Sequence, residues 1–227
     1  MYYLMLLFIS FSITAQNYKI TYETIYTVNL DTLKVSETMK DYYIKQKEKA
    51  KRTVGVLHVG TKQSSFQIHP IVHGKVVAQD VDLYTVYYDI TQKKLIRKYP
   101  LEPSIWSVFD VAKEYKWEIT NQTKIINGYT CYLARTSFML STPTNYLDKQ
   151  IFKEVWFCPE FPYATGPSDF VGVPGLVFEA YNVSGNSKFI LKKIEKSQDQ
   201  LPIFPKEVVS LRSLELKLKT LYGSDTN

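Results

Sequence analysis

The sequence predicts an α+β fold in which one long, strongly curved antiparallel β-sheet, half-barrel-like in shape, carries two packed helices. Residues 18–30 alternate between apolar and polar side chains, which is the pattern of a half-buried antiparallel strand. Asn127-Gly128 separates two apolar stretches and is the preferred sequence of a type I′ hairpin turn. Residues 36–52 and 206–221 instead place apolar side chains at helical spacing.

The first strand is unusually long. One of its faces carries mostly large apolar side chains: Tyr18, Ile20, Tyr22, Tyr26, Val28 and Leu30. Thirteen extended residues span about 43 Å, a length that fits a twisted and curved sheet better than a small sandwich. Aromatic residues make up 15% of the chain, and their enrichment in strands supports a β-rich fold.

A helix is predicted next, over residues 36–52. Ser36 is a suitable N-cap, Glu37 favours the first turn, and Lys49, Lys51 and Arg52 favour the last turn. Strand patterns then follow at 53–60, 64–69, 83–90 and 94–98.

The second half of the chain predicts a hairpin, a long loop and a final helix. The hairpin turns at Asn127-Gly128, residues 141–149 form an exposed loop, and a strand covers 150–158. Residues 159–175, called the motif loop here, hold four prolines and three glycines and predict a long structured loop. Two more strands and the closing helix follow, at 176–182, 187–195 and 206–221.

Residues 1–15 predict a signal peptide that is cleaved near Ala15. They contain no charged side chain, and the apolar run from Tyr2 to Phe11 is shorter than the ~20 residues that a membrane-spanning helix needs. The alternative is a buried N-terminal strand or helix. We expect a periplasmic or secreted protein of the Gram-negative envelope, without a transmembrane segment, whose residues 16–227 form a single domain.

Export gives the two cysteines a role. Cys131 and Cys158 form an even pair in an oxidising compartment, which predicts a disulfide. Closing a loop of about 27 residues contributes roughly 3 kcal/mol to stability. Two unrelated buried thiols are the alternative.

Charge and residue chemistry argue against several function classes. The net charge of +6 includes two lysine-rich clusters, but an exported protein has little contact with nucleic acid, so we expect none as a partner. His69 and His73 are four residues apart in a strand-like segment interrupted by Pro70, which does not suit a metal site. The sequence has no nucleophile motif and no phosphate-binding glycine loop, and we expect no catalytic residue and no cofactor. Glu160 and Asp169 are the one carboxylate pair considered for hydrolysis.

Four segments in order carry a family resemblance. They are WEIT at 117–120, INGYTCYxA at 126–134, EVWFCPE at 154–160 and GPSDFVGVPGLV at 166–177, with Ser65-Phe66 as a weaker upstream element. Their order and spacing resemble the GLPGLI family of exported Gram-negative proteins. The hexapeptide here is GVPGLV, residues 172–177, which differs conservatively at its second and sixth positions. The resemblance implies an envelope protein without a common known activity. By fold analogy it implies a LolA-like half-barrel, in which a curved sheet wraps helices around an apolar cavity.

The motif loop contains several special backbone positions. Pro174 and Gly175 suit positions i+1 and i+2 of a type II turn, and Gly166, Pro167 and Gly172 add further constraints. The first interpretation is a tight turn into the following strand. The second is a loop at a pocket mouth that contacts a ligand or partner.

The leading functional hypothesis is a non-enzymatic envelope protein that holds an apolar or peptide-like ligand, or a partner protein, in the concavity of the sheet. Candidate lining residues are Tyr22, Tyr26, Trp156 and Phe170. The alternatives are an envelope hydrolase using carboxylates of the motif loop, and a structural or assembly component of an outer-membrane complex.

Overall fold

The alternating segments build one large, open and curved sheet with two helices, which confirms the predicted α+β class. The computed structural model describes residues 16–31, 34–77, 85–99, 102–142, 145–183, 186–211 and 213–214. The predicted signal peptide, residues 1–15, lies outside the described residues. No described helix has the length and apolar character needed to cross a membrane.

Thirteen strands and two helices follow one another along the described chain. Their bounds are β1 Asn17–Tyr26, α1 Glu37–Lys51, β2 Thr53–Val59, β3 Gln63–Val72, β4 Lys75–Val76, β5 Val86–Asp89, β6 Lys94–Tyr99, β7 Glu102–Asp110, α2 Val111–Glu114, β8 Glu118–Ile126, β9 Tyr129–Thr142, β10 Asn145–Cys158, β11 Leu176–Asn182, β12 Ser187–Ser197 and β13 Val209–Ser210. The order across the sheet is β13-β7-β6-β5-β3-β2-β1-β12-β11-β10-β9-β8, and β4 pairs with β3 beside this path. All pairs are antiparallel except β13 with β7.

β1 joins the two halves of the chain. It pairs with β2 on one side and with β12 on the other, so Tyr22 lies between Gly55 and Leu191. The strand ends at Tyr26 and is therefore shorter than the alternation predicted. Its alternating apolar residues Ile20 and Tyr22 are fully buried, because both neighbours and the motif loop pack against them.

α1 forms where its caps predict it. The Ser36 hydroxyl accepts a hydrogen bond from the Met39 backbone N–H at 3.4 Å, Glu37 lies in the first turn, and two lysines lie in the last. None of its side chains is fully buried. The Tyr43 ring contacts the Tyr26 ring of β1, with centroids 6.3 Å apart. α1 therefore lies on the sheet without becoming part of the core.

The hairpin between β8 and β9 confirms the turn prediction. Asn127 and Gly128 both have positive φ, 52° and 85°, and Ile126 pairs with Tyr129. The exposed loop expected at 141–149 is wrong for its described residues, because β9 continues to Thr142 and β10 begins at Asn145. Thr142 and Tyr146 are residue types that suit strands, and antiparallel pairing of Lys149 with Leu140 continues the ladder into this segment.

The predicted C-terminal helix differs at its start. Val209 and Ser210 form β13, which pairs in parallel with β7, because the edge of β7 offers unpaired backbone groups. Leu211, Ser213 and Leu214 have helical backbone, and the rest of the predicted helix lies outside the described residues. α2 was not predicted. It is a single turn capped by the Asp110 carboxylate, and four residues are too few to show helical periodicity.

The motif loop packs into both parts of the core. Phe170 and Val173 lie in the larger cluster, which is built on β1–β3 and β9–β12, whereas Val171 lies in a second cluster with Tyr88 and Val111. In the larger cluster a chain of ring contacts runs from Tyr22 through Phe66 and Phe189 to Phe170. The loop thus fills space that an open half-barrel would leave for a ligand.

Candidate functional site

The motif loop is fixed by its own backbone hydrogen bonds. Gly172 N–H donates to the Ala164 carbonyl at 3.0 Å, and Val177 N–H donates to the Thr165 carbonyl at 3.0 Å. Most of its residues from Thr165 to Gly175 are buried. These contacts agree with the interpretation of the loop as a tight turn into the following strand, β11.

The type II turn expected at Pro174-Gly175 is wrong. Gly175 does not have positive φ, and its N–H donates to the Val173 carbonyl at 2.8 Å, which makes a three-residue turn centred on Pro174. The positive φ belongs to Gly172, at +89°. Gly175 is required for a steric reason, since a Cβ there would lie 2.4 Å from the Cys158 carbonyl oxygen.

The first glycine of the loop also serves a close approach. A Cβ at Gly166 would lie 2.5 Å from the Phe170 carbonyl oxygen and 2.6 Å from Val177 Cβ. Pro167 is buried beside it, and its carbonyl accepts from Phe170 N–H at 3.1 Å across a turn in which Ser168 has a φ of 53°. Gly166 and Gly175 are therefore constrained positions of the loop, mainly because a Cβ atom would clash there.

A buried ion pair ties the motif loop to β10. The Lys153 ammonium, on a side chain only 2% exposed, lies 2.7 Å from Asp169 Oδ1 and donates to the Tyr115 hydroxyl at 2.8 Å. Arg97 approaches the other Asp169 oxygen at 3.6 Å. The Lys153 ammonium also lies over three aromatic rings, those of Tyr115, Phe138 and Phe170.

The charges of this cluster stabilise one another. Burial alone would raise the pKa of Asp169, but the charges of Lys153 and Arg97 hold that pKa below its ordinary value. Burial lowers the pKa of Lys153, and Asp169 offsets part of that effect. Asp169 is thus held ionised by cations, whereas Glu160 lies exposed in the turn after β10. This arrangement does not favour an acid–base pair of these two carboxyl groups.

The two cysteines lie opposite each other on neighbouring strands. Tyr132 pairs with Phe157 in the antiparallel register of β9 and β10, so the next pair along is Cys131 with Cys158. Both are buried free thiols in this structure. Burial, and then the neighbouring Cys158, raise the pKa of the Cys131 thiol to about 12. The disulfide stays a prediction, and the register places its two partners side by side.

Two clefts of the described chain lie beside α1. A cleft of about 530 Å³ is bounded by one side of the helix and by the end of β3, and a second cleft of about 470 Å³ lies along another side. We call the two clefts together the α1 groove. The first is lined by Ile44, Lys45, Glu48, Lys49, Arg52, Thr53, Ile68 and Pro70, and the second by Glu23, Thr24, Ile25, Tyr26, Lys47, Ala50, Lys51, Thr53, Val54, Ile71 and Lys192.

The predicted lining residues separate in the structure. Tyr26 lines the α1 groove. Tyr22 is fully buried and its hydroxyl donates to the Val177 carbonyl at 2.6 Å, while Phe170 belongs to the packed core. Trp156 lines a smaller cleft of about 280 Å³ in which the Lys124 ammonium lies 4.4 Å from its ring centroid.

Sequence reasoning missed most of the α1 groove. The sequence pattern singles out none of Ile44, Ile68 and Ile71, which the structure places in the lining of the groove. A signal was present, because the exposed-looking helix and the apolar end of β3 both lacked an obvious covering element. Nothing local to the sequence shows that these two elements meet.

None of the three histidines is among the residues that line the α1 groove. His69 is buried in β3, His58 lies in β2 and His73 lies in a turn with positive φ. Burial, and then the charge of Lys19, lower the pKa of both His58 and His69. The part of the chain that the structure describes holds no group of three His, Cys, Asp or Glu side chains placed to bind a metal ion.

One protein family matches part of the chain. The sequence model of a family described as a protein of unknown function (Porph_ging) matches residues 140–179. This segment contains β10, the motif loop and the hexapeptide 172–177 on which the resemblance to the GLPGLI family rests. The search of curated proteins finds no match.

Two solved structures share the fold. PNGF-II in space group C2 matches with a TM-score of 0.52 and 18% identity, over 82% of this chain and 28% of that one. PNGF-II in space group P21 matches with a TM-score of 0.52 and 14% identity, over 90% of this chain and 34% of that one. This chain therefore corresponds to about a third of the length of those chains or less, and the likeness concerns the fold alone.

Proposed function

We propose that this chain is an exported, non-enzymatic binding module that holds an apolar or peptide-like ligand in the α1 groove. The observation that carries this proposal is a helix of 15 residues with no fully buried side chain, flanked by clefts of about 530 and 470 Å³. Both volumes fall within the range of about 300 to 1,000 Å³ that is typical of small-molecule sites.

The lining of the groove suits a ligand with an apolar body. Ile44, Ile68 and Pro70 contribute apolar surface to the first cleft, and Val54 and Ile71 contribute it to the second. Six basic side chains and two acidic ones, Glu23 and Glu48, surround this surface. Because the basic side chains are in excess, an apolar ligand with a negative end would complement it.

α1 is suited to act as a movable cover. Because few of its side chains pack tightly, displacing it would expose little core surface and would cost little free energy. The ion pairs of Lys40 with Glu37 and of Lys51 with Glu48 each join two residues of α1, so they would move with the helix. A ligand could therefore enter beneath the helix without unfolding the sheet.

The other two hypotheses have less support. A hydrolase using the motif-loop carboxylates would need Asp169 accessible, but Lys153 and Arg97 engage it. An assembly role would need a surface that binds a partner protein, and the α1 groove does not supply evidence for one.

Titration with N-phenyl-1-naphthylamine, which fluoresces in apolar sites, tests the proposal. Ile44→Gln removes apolar surface from the groove at a half-exposed helix position, and we expect about a fivefold loss of affinity, equivalent to about 1 kcal/mol of lost burial. Tyr26→Ser should weaken binding similarly in the second cleft. Ile203→Gln is the matched control, because Ile203 is 85% exposed and lies outside the groove. Unchanged affinity in both groove variants would refute the proposal.

A further inference from the structure

β8 ends the strand order, and its outer edge is open. Within the described residues it pairs with β9 alone. An open edge presents unpaired backbone N–H and C=O groups, which proteins usually blunt with proline or with lysine. β8 has no proline, and its one lysine, Lys124, is turned toward Glu179 at 2.9 Å and the Trp156 ring. Its pairing with β9 has a register shift between Ile119 and Thr123, and the ladder is regular from Thr123 to Ile126.

One face of β8 carries two exposed isoleucines, Ile119 and Ile125. Ile119 pairs with Ala134, Thr123 with Tyr132, and Ile125 with Thr130, so these residues share the face on which Ala134 is fully buried. Nevertheless Ile119 is 50% exposed, Ile125 67% and Tyr132 36%. The face of the sheet that is buried at Ala134 is therefore exposed to solvent near the open edge.

A cleft of about 400 Å³ lies at the start of β8. It is lined by Trp117, Ile119 and Val111, and by Gly172 and Pro174, which are the exposed residues of the hexapeptide. The Trp117 ring is fixed, since its Nε1–H donates to the Val171 carbonyl at 2.9 Å.

Gly172 shapes this cleft, and two lysines complete its lining. A Cβ at Gly172 would lie 2.9 Å from Val111 Cγ1 and 3.7 Å from Trp117 Nε1, so glycine keeps this part of the wall open. The exposed Lys93 and Lys116 give the cleft a positive charge, with no acidic residue in the lining.

We propose that β8 and this cleft, together called the β8 edge surface, bind an extended polypeptide segment of a partner protein as an added strand. Backbone hydrogen bonds to Glu118–Ile126 would supply affinity. An apolar side chain of the partner would enter the cleft beside Trp117, and acidic side chains would lie near Lys93 and Lys116. This gives the exposed part of the hexapeptide a role that does not depend on the α1 groove.

The test uses a fluorescein-labelled ten-residue peptide in which valine alternates with aspartate and threonine. We expect binding by fluorescence anisotropy, together with slower hydrogen exchange of the β8 amides. Ile119→Gln and Ile125→Gln should each reduce affinity at least tenfold, whereas Ile203→Gln, at another exposed isoleucine, should leave it unchanged. Because both β8 isoleucines are half exposed or more, thermal unfolding of these variants should match that of the unaltered chain.

Several results would overturn the inference. Equal binding of a peptide with lysine in place of aspartate would remove the charge argument, and equal binding to the β8 variants would place the peptide elsewhere. Slower exchange confined to α1 would assign the peptide to the α1 groove. Concentration-dependent dimerisation in sedimentation, abolished by Ile125→Gln, would identify the occupant as a second copy of this chain.

Discussion

Lys153 is a charged residue at a buried position of a strand, where it pairs with Asp169. It alternates in phase with Ile151, Val155 and Phe157, so the strand pattern already places it on the buried face of β10. The sequence therefore contains a signal for a buried lysine, which requires a partner. The identity of that partner could not be predicted, because Asp169 reaches it only through the folded path of the motif loop.

Removing one charge of this pair should destabilise the protein. In Asp169→Asn the Lys153 ammonium stays buried without its counter-charge, and we expect a loss of about 3 kcal/mol in the free energy of unfolding. Urea denaturation measures this loss. The double variant Lys153→Met, Asp169→Asn should recover part of it. A single-variant loss below about 1 kcal/mol would show that the pair is unimportant for stability.

The buried histidines should make stability depend on pH. The pKa values of His58 and His69 are lower in the folded state than the ordinary value near 6.5, because burial disfavours the charged ring. Below pH 6.5 the unfolded chain then binds more protons, so the free energy of unfolding should fall as pH drops toward the folded-state pKa values. NMR titration of the ring protons measures both pKa values. Values above 6.5 would contradict this prediction.

Among helices, strands and turns, the sequence predicts best those features whose geometry depends on a few neighbouring residues. The α1 caps and the Asn127-Gly128 turn depend on a few neighbouring residues, and both agree with the sequence. The turn at Pro174 does not, because Gly175 is selected by the approach of the Cys158 carbonyl from another strand. A glycine in a sequence indicates a special position without stating whether torsion or space is the cause.

Two glycine substitutions separate these causes. Gly175→Ala should cost about 3 kcal/mol, since its Cβ would meet backbone atoms that cannot move away easily. Gly128→Ala should cost about 1 kcal/mol, because its φ of +85° is unfavourable but a Cβ there meets nothing within 4 Å. Thermal or urea unfolding compares the two variants. Equal costs would mean that space at Gly175 is not the deciding factor.

The cysteine pair is predicted to close in an oxidising compartment. Directly opposite residues of antiparallel strands have Cα atoms about 4.5 to 5.5 Å apart, which lies within the range of about 4.4 to 6.8 Å for disulfides. Protein secreted into an oxidising medium should therefore have an intact mass lower by two hydrogen atoms than the reduced protein. It should also be about 3 kcal/mol more stable than Cys131→Ser. Full alkylation of both cysteines without a reductant would contradict this prediction.

At the scale of the whole molecule, the alternating pattern predicted the β-rich class, but the strand order could not be predicted. β1 pairs with β12 across most of the sequence, and this pairing depends on which long-range contacts bury most surface. The position of the candidate site could not be predicted either, because it also depends on long-range contacts. Tyr26 lies in the α1 groove, whereas Tyr22 lies in the core, where its ring contacts Phe66 and its hydroxyl donates to the Val177 carbonyl.

The curved sheet has two kinds of surface for a binding module. Its centre is filled by the motif loop, and clefts lie beside α1, beside Trp156 and at the β8 edge. The first suits a small apolar ligand, and the second suits an extended polypeptide. Because different elements form them, each can be altered without changing the other.

Native mass spectrometry of the protein recovered from its own cells tests whether the α1 groove holds a ligand. We expect a complex with a bound apolar molecule that is released on unfolding and is depleted in Ile44→Gln, while Ile203→Gln retains it. A single ligand-free mass in gently prepared samples, or an adduct that is equally abundant in Ile44→Gln, would contradict the assignment of the α1 groove as a ligand site.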